Sequence, residues 1–160
     1  MELLGFIVLV MCLILVAVQD LKCRKIHIVL PVVVFISSCL ISLKTISYKY
    51  TILPNITFVI VVISFMVMYM TLKYRAFKNP FKYYFGLGDL LFYLSITPLF
   101  LLNQFVVYFI GSLVVSLLIF MIFKGKIQSD SIPLAGFCAI FLLTIITLDK
   151  LINSWSLTVI

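Results

Sequence analysis

Five acidic residues occur among 160: Glu2, Asp20, Asp89, Asp130 and Asp149. Two of them stand where a carboxylate is costly. Asp20 closes the first long apolar run, in LVAVQDLKCRKIH, and Asp89 opens a later one, in FGLGDLLFY. An ionisable group at the margin of a lipid-soluble segment must be paired, wetted or used, which makes each a candidate for function. Two carboxylates at one depth can divide the work of general acid–base hydrolysis. Like charges sharing a site do not both ionise easily, so one group keeps a proton to donate while the other deprotonates water. Each acid also has a simpler use. Asp89 can act as N-cap of the helix that follows it, and Asp20 can pair with Arg24 one helical turn on. Glu2 and Asp149 sit at outer ends, where solvation accounts for them. Asp130, in KGKIQSDS, reads as a solvated loop residue or a cap for the last span.

The elements that must hold these acids are set by hydropathy. The chain is 65% apolar and 11% charged, with a mean hydropathy of +1.33. A soluble domain is nearer half apolar and a quarter charged, so this composition belongs to a membrane protein. Apolar runs at 3–18, 28–43, 52–72, 87–102, 105–123 and 132–148 give about six transmembrane helices. The expected fold is all-α: a polytopic helical bundle filling residues 1–160 as a single transmembrane domain. Lys22, Arg24 and Lys25 follow the first run, Lys73, Arg75, Lys78 and Lys82 the third, and Lys124 and Lys126 the fifth. The other connections are poorer in cations, with Lys44 and Lys49 in the second. The odd connections are therefore expected on the cytoplasmic side, with both termini outside. In that frame Asp20 and Asp89 both lie at the cytoplasmic margin of a multi-pass protein of the cell membrane.

The same residues exclude several function classes. The net charge of +7 is scattered over short loops, which suits anionic lipid headgroups and not a nucleic acid. Cys12, Cys23, Cys39 and Cys138 show no CxxC spacing and His27 is the sole histidine, so no metal site or disulfide framework is expected. The cysteines read as small apolar fillers. Glu2 stands where a signal peptide carries positive charge, and Met11 is too bulky for a lipoprotein cleavage box in LVMC. The first run is therefore expected to be an anchoring helix. In 73–85, KYRAFKNPFKYYF, cations alternate with aromatics as at a membrane surface; a gate or docking surface beside Asp89 is the functional alternative. No internal repeat mirrors GLGD in the first half, which disfavours a transporter built from inverted repeats.

GLGD followed by apolar residues resembles the GxGD motif of intramembrane aspartyl proteases, and the chain is most similar to the prepilin (type IV leader) and preflagellin peptidases. DLKCRKIHI resembles their first motif, with Asp20, Arg24 and Ile26 matching and His27-Ile28 replacing Pro-Asn. Gly86, Gly88 and Asp89 match the second motif, whose usual lysine two positions later is here Leu91. IPLAG (132–136), with Pro133, resembles the Ile-Pro-Phe start of the family's last span. Presenilins and signal peptide peptidases share GLGD but are longer, with Tyr-Asp where Gln19-Asp20 stands here and a Pro-Ala-Leu motif where this chain has Pro-Leu-Ala.

The resemblance implies an aspartyl endopeptidase in which Asp20 and Asp89 are catalytic, without cofactor or metal. Its implied substrates are prepilin-like or pseudopilin-like precursors, which lose a basic leader at the cytoplasmic face. Many bacterial members carry an N-terminal region with paired cysteines that accompanies N-methylation. This chain enters its first span almost at once, so cleavage without methylation is expected. Gly86 and Gly88 are expected to let the backbone bend sharply before Asp89 and to admit a substrate strand, or to let helices pack closely. Two readings from other classes stand beside this one: a proton-coupled small transporter, and a non-catalytic membrane scaffold derived from a peptidase.

Overall fold

Apolar character decides which segments become helices here, and proline, glycine and polar residues decide where they stop. In the computed structural model, which describes residues 2–24, 26–42, 48–74, 86–123 and 133–152, six helices follow one another. They are α1 (Glu2–Cys23), α2 (Val29–Ser42), α3 (Tyr48–Tyr74), α4 (Leu87–Ser95), α5 (Leu102–Phe123) and α6 (Leu134–Ile152). No strand occurs among the described residues. Three stretches are long and apolar enough to cross a membrane: Leu4–Cys23, Thr51–Lys73 and Leu102–Ile122. The apolar helical stretches Val29–Ser42, Leu87–Leu99 and Leu134–Asp149 are shorter.

One of the six expected spans, 87–102, is markedly shorter as a helix than its hydropathy suggests, while α2 nearly fills its run of 28–43. α2 has 14 residues, about 21 Å at 1.5 Å per residue. The run expected as one span over 87–102 breaks. α4 ends at Ser95, a 3-10 turn covers Thr97–Leu99, and Phe100 is extended (φ −130°, ψ 144°). Pro98 explains the break, since it has no N–H to continue the helix and its ring crowds the preceding turn. α5 then starts at Leu102, earlier than the expected 105. The connection 75–85 with Lys78 and Lys82, the segment 124–132 with Lys124, Lys126 and Asp130, and Lys25 and Lys44 lie outside the described residues. Most of the cations behind the expected orientation are among them.

The first helix forms the centre of the packing. α1 lies against α2 and α6. Its buried stripe is Leu9, Cys12, Leu13, Val16, Ala17 and Asp20, a run of three- and four-residue steps that keeps to one helical face. Ile7, Met11, Ile14, Leu15 and Val18 cover the other face and are exposed, as lipid-facing residues are. Both faces are apolar, so hydropathy alone cannot rank them; a small residue on the partner helix does. On α6 the buried Gly136, whose missing side chain leaves room for the Ala17 carbonyl and Asp20, lets α1 approach closely. The near end of α1 meets the far end of α2: a Cβ on Gly5 would lie 3.6 Å from Ile41 Cγ1. α1 and α2 therefore run antiparallel.

α3 is attached mainly through its N-terminal half. Asn55 donates from Nδ2 to the carbonyls of Thr97 (2.9 Å) and Phe100 (2.7 Å). Phe58 sets its ring edge-on to Phe105 and Phe109, with centroids 6.0 and 5.5 Å away. Asn55 thereby satisfies two carbonyls released where Pro98 interrupts the chain, a repair that an apolar interior demands.

Candidate active site

Asp20 is placed by helical periodicity. It continues the buried stripe of α1 three residues beyond Ala17 and is only 6% exposed. α1 ends one turn later through Arg24, whose N–H bonds the Asp20 carbonyl at 3.1 Å and whose φ of 54° is left-handed. That conformation costs a non-glycine residue about 1–2 kcal/mol, and it turns the chain sharply off the helix. Gln19 then accepts a hydrogen bond at its Oε1 from the His27 backbone N–H (3.2 Å), folding the link back against α1. The result sets Ile26 on α4, where a Cβ on Gly88 would come within 3.1 Å of Ile26 Cδ1. Two motifs distant in sequence are therefore in contact (Ile26 on Gly88).

Asp89 is the third residue of α4, and the N-cap is Gly86 (φ −64°, ψ 136°). The N-cap role expected as the simple use of Asp89 thus falls to Gly86. The Asp89 backbone N–H donates to the Gly86 carbonyl at 3.1 Å, which opens the helix. Neither glycine bends the backbone in a way only glycine allows, because no described glycine has positive φ. The chain leading into Gly86 lies outside the described residues, and among the described ones the two glycines serve close approach. A Cβ on Gly86 would stand 2.8 Å from Asp89 Oδ2, and one on Gly88 would press on Ile26.

Both acids end on the first turn of α6. Asp89 Oδ1 accepts the Ala135 N–H at 2.9 Å, and Asp20 Oδ2 accepts the Gly136 N–H at 2.6 Å. These are two consecutive amides among those that a helix start leaves without an intrahelical partner, at the end where the helix dipole favours negative charge. Pro133, buried, supplies the carbonyl that opens the helix by accepting from Phe137 N–H at 3.2 Å. Gly136 leaves room for this approach: a Cβ there would lie 3.1 Å from Asp20 Oδ2, 3.2 Å from Asp20 Cβ and 3.4 Å from the Ala17 carbonyl. Held by adjacent amides, the two carboxyls repel one another when both are charged, whereas Arg24 attracts Asp20.

Three helices therefore build one constellation. α1 brings Asp20, α4 brings Asp89, and α6 offers the two amides that hold both. Its polar chemistry is that of carboxyls, backbone donors and any water that reaches them, and no group of metal-binding side chains occurs among the described residues. Gly86, Gly88, Arg24 and Pro133 all lie at the constellation. Leu91, two residues after Asp89, is half-buried. Asp130 lies outside the described residues. Reading the sequence missed the amide donors of Ala135 and Gly136, because a backbone group carries no residue signature. It also missed Cys138. Cys12 is a buried apolar filler as expected, but the Cys138 thiol lies 3.1 Å from the Tyr93 hydroxyl, in a hydrogen-bonded group.

No protein-family model matches the chain, and no curated protein or solved structure matches it either.

Proposed function

We propose that the protein is an intramembrane aspartyl endopeptidase of the prepilin-peptidase kind, with Asp20 and Asp89 as its acid pair. One observation carries the reading: two carboxylates from separate helices, sixty-nine residues apart in sequence, share adjacent amides of a third helix start. In the reaction one carboxylate takes a proton from water as the resulting hydroxide adds to the scissile carbonyl, while the other acid protonates the carbonyl oxygen. Collapse of the tetrahedral intermediate returns that proton, cleaves the C–N bond and protonates the leaving amine. The amides of Ala135 and Gly136 keep both acids oriented through these exchanges. No covalent enzyme intermediate, cofactor or metal is part of this scheme.

In this proposal the helical bundle lies in the cytoplasmic membrane, with the acids at its inner margin and both termini outside. The substrate is a prepilin-like or pseudopilin-like precursor whose basic leader lies in water and whose apolar segment lies in the bilayer. The transporter alternative requires a polar path from the acids to the far side. At the 3-10 turn the core holds Leu99, Phe100 and Phe105 together with Asn55 and Thr97, whose donors are spent on local carbonyls, and the peptidase reading takes these polar groups as structural.

The test is co-expression with candidate precursors, scoring leader removal by mass. Wild type is expected to cleave, Asp20→Asn and Asp89→Asn each to abolish cleavage, and the double variant to be no worse than either, because the two act as a unit. Efficient cleavage by either single variant overturns the acid-pair mechanism. The pH–rate profile is expected to be bell-shaped, with two constants that belong to the pair and not to either residue.

A further inference from the structure

One turn beyond Asp89 on α4, Tyr93 is only 1% exposed. Its hydroxyl meets two other helices, 2.9 Å from Ser112 Oγ on α5 and 3.1 Å from Cys138 Sγ on α6. The direction of these bonds follows by elimination. Ser112 spends its proton on the Phe109 carbonyl (2.9 Å), so the Tyr93 O–H donates to Ser112 Oγ. The Tyr93 oxygen is then left to accept, and the Cys138 S–H is its donor. Ser116 donates to the Ser112 carbonyl (2.6 Å) and stands 3.7 Å from the same sulfur. The Tyr108 hydroxyl donates to the Cys138 carbonyl at 2.8 Å. Five polar side chains in a lipid-soluble core are thus satisfied in one order. A satisfied buried network of this sort fixes geometry more than it adds stability.

The place of this network gives it a use. Tyr93 is four residues after Asp89 on α4, and Cys138 is two residues after Gly136 on α6. The bond between them therefore ties the helix that carries one acid to the helix whose amides hold both. We propose that Tyr93 and Cys138 are positioning residues for the acid pair, setting the separation of α4 from α6 and hence the seat of Asp89 on the Ala135 amide. This rests on the peptidase reading for its kinetic consequences, but not for its structural one.

The experiment uses the full chain in bilayers, with Tyr93→Phe, Cys138→Ala, Cys138→Ser and the double Tyr93→Phe/Cys138→Ala. Two readouts are taken: hydrogen exchange at the Ala135 and Gly136 amides, and leader cleavage as a function of pH. Tyr93→Phe keeps the ring and is expected to speed exchange at those two amides about tenfold, with α5 amides unchanged. It should lower kcat by about tenfold at constant KM, since a small misplacement of reacting groups is felt in the transition state. The pH–rate profile should change shape, because the coupling of the two acids depends on their separation. Cys138→Ala should match it, the double variant should be no worse, and Cys138→Ser, which keeps a donor, should restore most of both signals. Wild-type exchange and an unaltered pH profile in Tyr93→Phe overturn the proposal. If wild-type protein cleaves no precursor, the peptidase reading fails and the exchange measurement alone decides the clamp.

Discussion

The two ends of the bundle solve one problem with different residues. Each contains interrupted backbone whose polar groups cannot be left bare in an apolar setting. At the end marked by Pro98, the loose groups are the carbonyls of Thr97 and Phe100, and the neutral amide of Asn55 satisfies both. At the other end they are the amides of Ala135 and Gly136, and two carboxylates satisfy them. Serine, threonine or asparagine would cap a helix start as well as aspartate, without bringing two like charges into a partly dehydrated site. The Asn55 end shows a neutral side chain meeting that need in this same bundle. Structure alone therefore accounts for the Asn55 end, while the paired acids carry a cost that capping does not require. That surplus is where function is to be sought.

The largest effects expected are those that separate the two ends. Asp20→Asn and Asp89→Asn keep an oxygen for the α6 amide, so thermal unfolding should stay close to wild type while cleavage is lost. Asn55→Ala should do the reverse. Each carbonyl stripped of its donor costs about 1–3 kcal/mol, so the protein should melt markedly lower, while folded molecules retain cleavage. Thermal melts in detergent beside cleavage assays decide this. Asp variants that unfold, or an Asn55→Ala variant that melts like wild type, would break the comparison.

Glycine substitutions sharpen it next. Gly136→Ala drives a methyl against Asp20 Cβ and the Ala17 carbonyl, so α1 must shift away from α6 with its carboxylate. A cleavage loss of about 10- to 100-fold is expected for such a displacement. Gly88→Ala presses first on Ile26 Cδ1, so adding Ile26→Val, which removes that atom, should restore part of the activity. Gly111→Ala is the control: its Cβ would meet the Phe141 ring at 3.5 Å, an ordinary contact, and cleavage should stay near wild type. Equal losses at Gly111 and Gly136 would mean that the assay reads general packing.

These residues also show what a sequence can and cannot reveal here. Asp20 and Asp89 were legible because a charge stands out against an apolar run, and the helices were legible because lipid-soluble stretches have few other conformations. Helix lengths were less so: hydropathy continues across Pro98, and only backbone chemistry ends α4. The role of Gly136 was hidden inside IPLAG, since a missing side chain signals closeness without naming the neighbour. Tyr93 and Cys138 were hidden differently. In a chain this apolar they count as hydrophobic, and only the meeting of α4, α5 and α6 makes their polar atoms partners.

The smallest effect tests the structural end alone. Ser42 Oγ and Thr51 Oγ1 are buried without a hydrogen-bond partner among the described residues, as is Asn55 Oδ1. Other helical hydroxyls here, those of Ser38, Thr57 and Ser64, bond the carbonyl four residues back at 2.7–2.9 Å. An unsatisfied hydroxyl costs its desolvation and returns nothing, so deleting it is neutral or favourable. Ser42→Ala and Thr51→Val should leave the melting temperature unchanged or raise it slightly, by an amount corresponding to about 1 kcal/mol at most. Cleavage should be unaffected, because neither residue is near the α6 amides. A clear drop in melting temperature would show that these hydroxyls are bonded in the folded protein, making the Asn55 end a satisfied network like the one around Tyr93. The contrast between the ends would then rest on the charge of the aspartates alone.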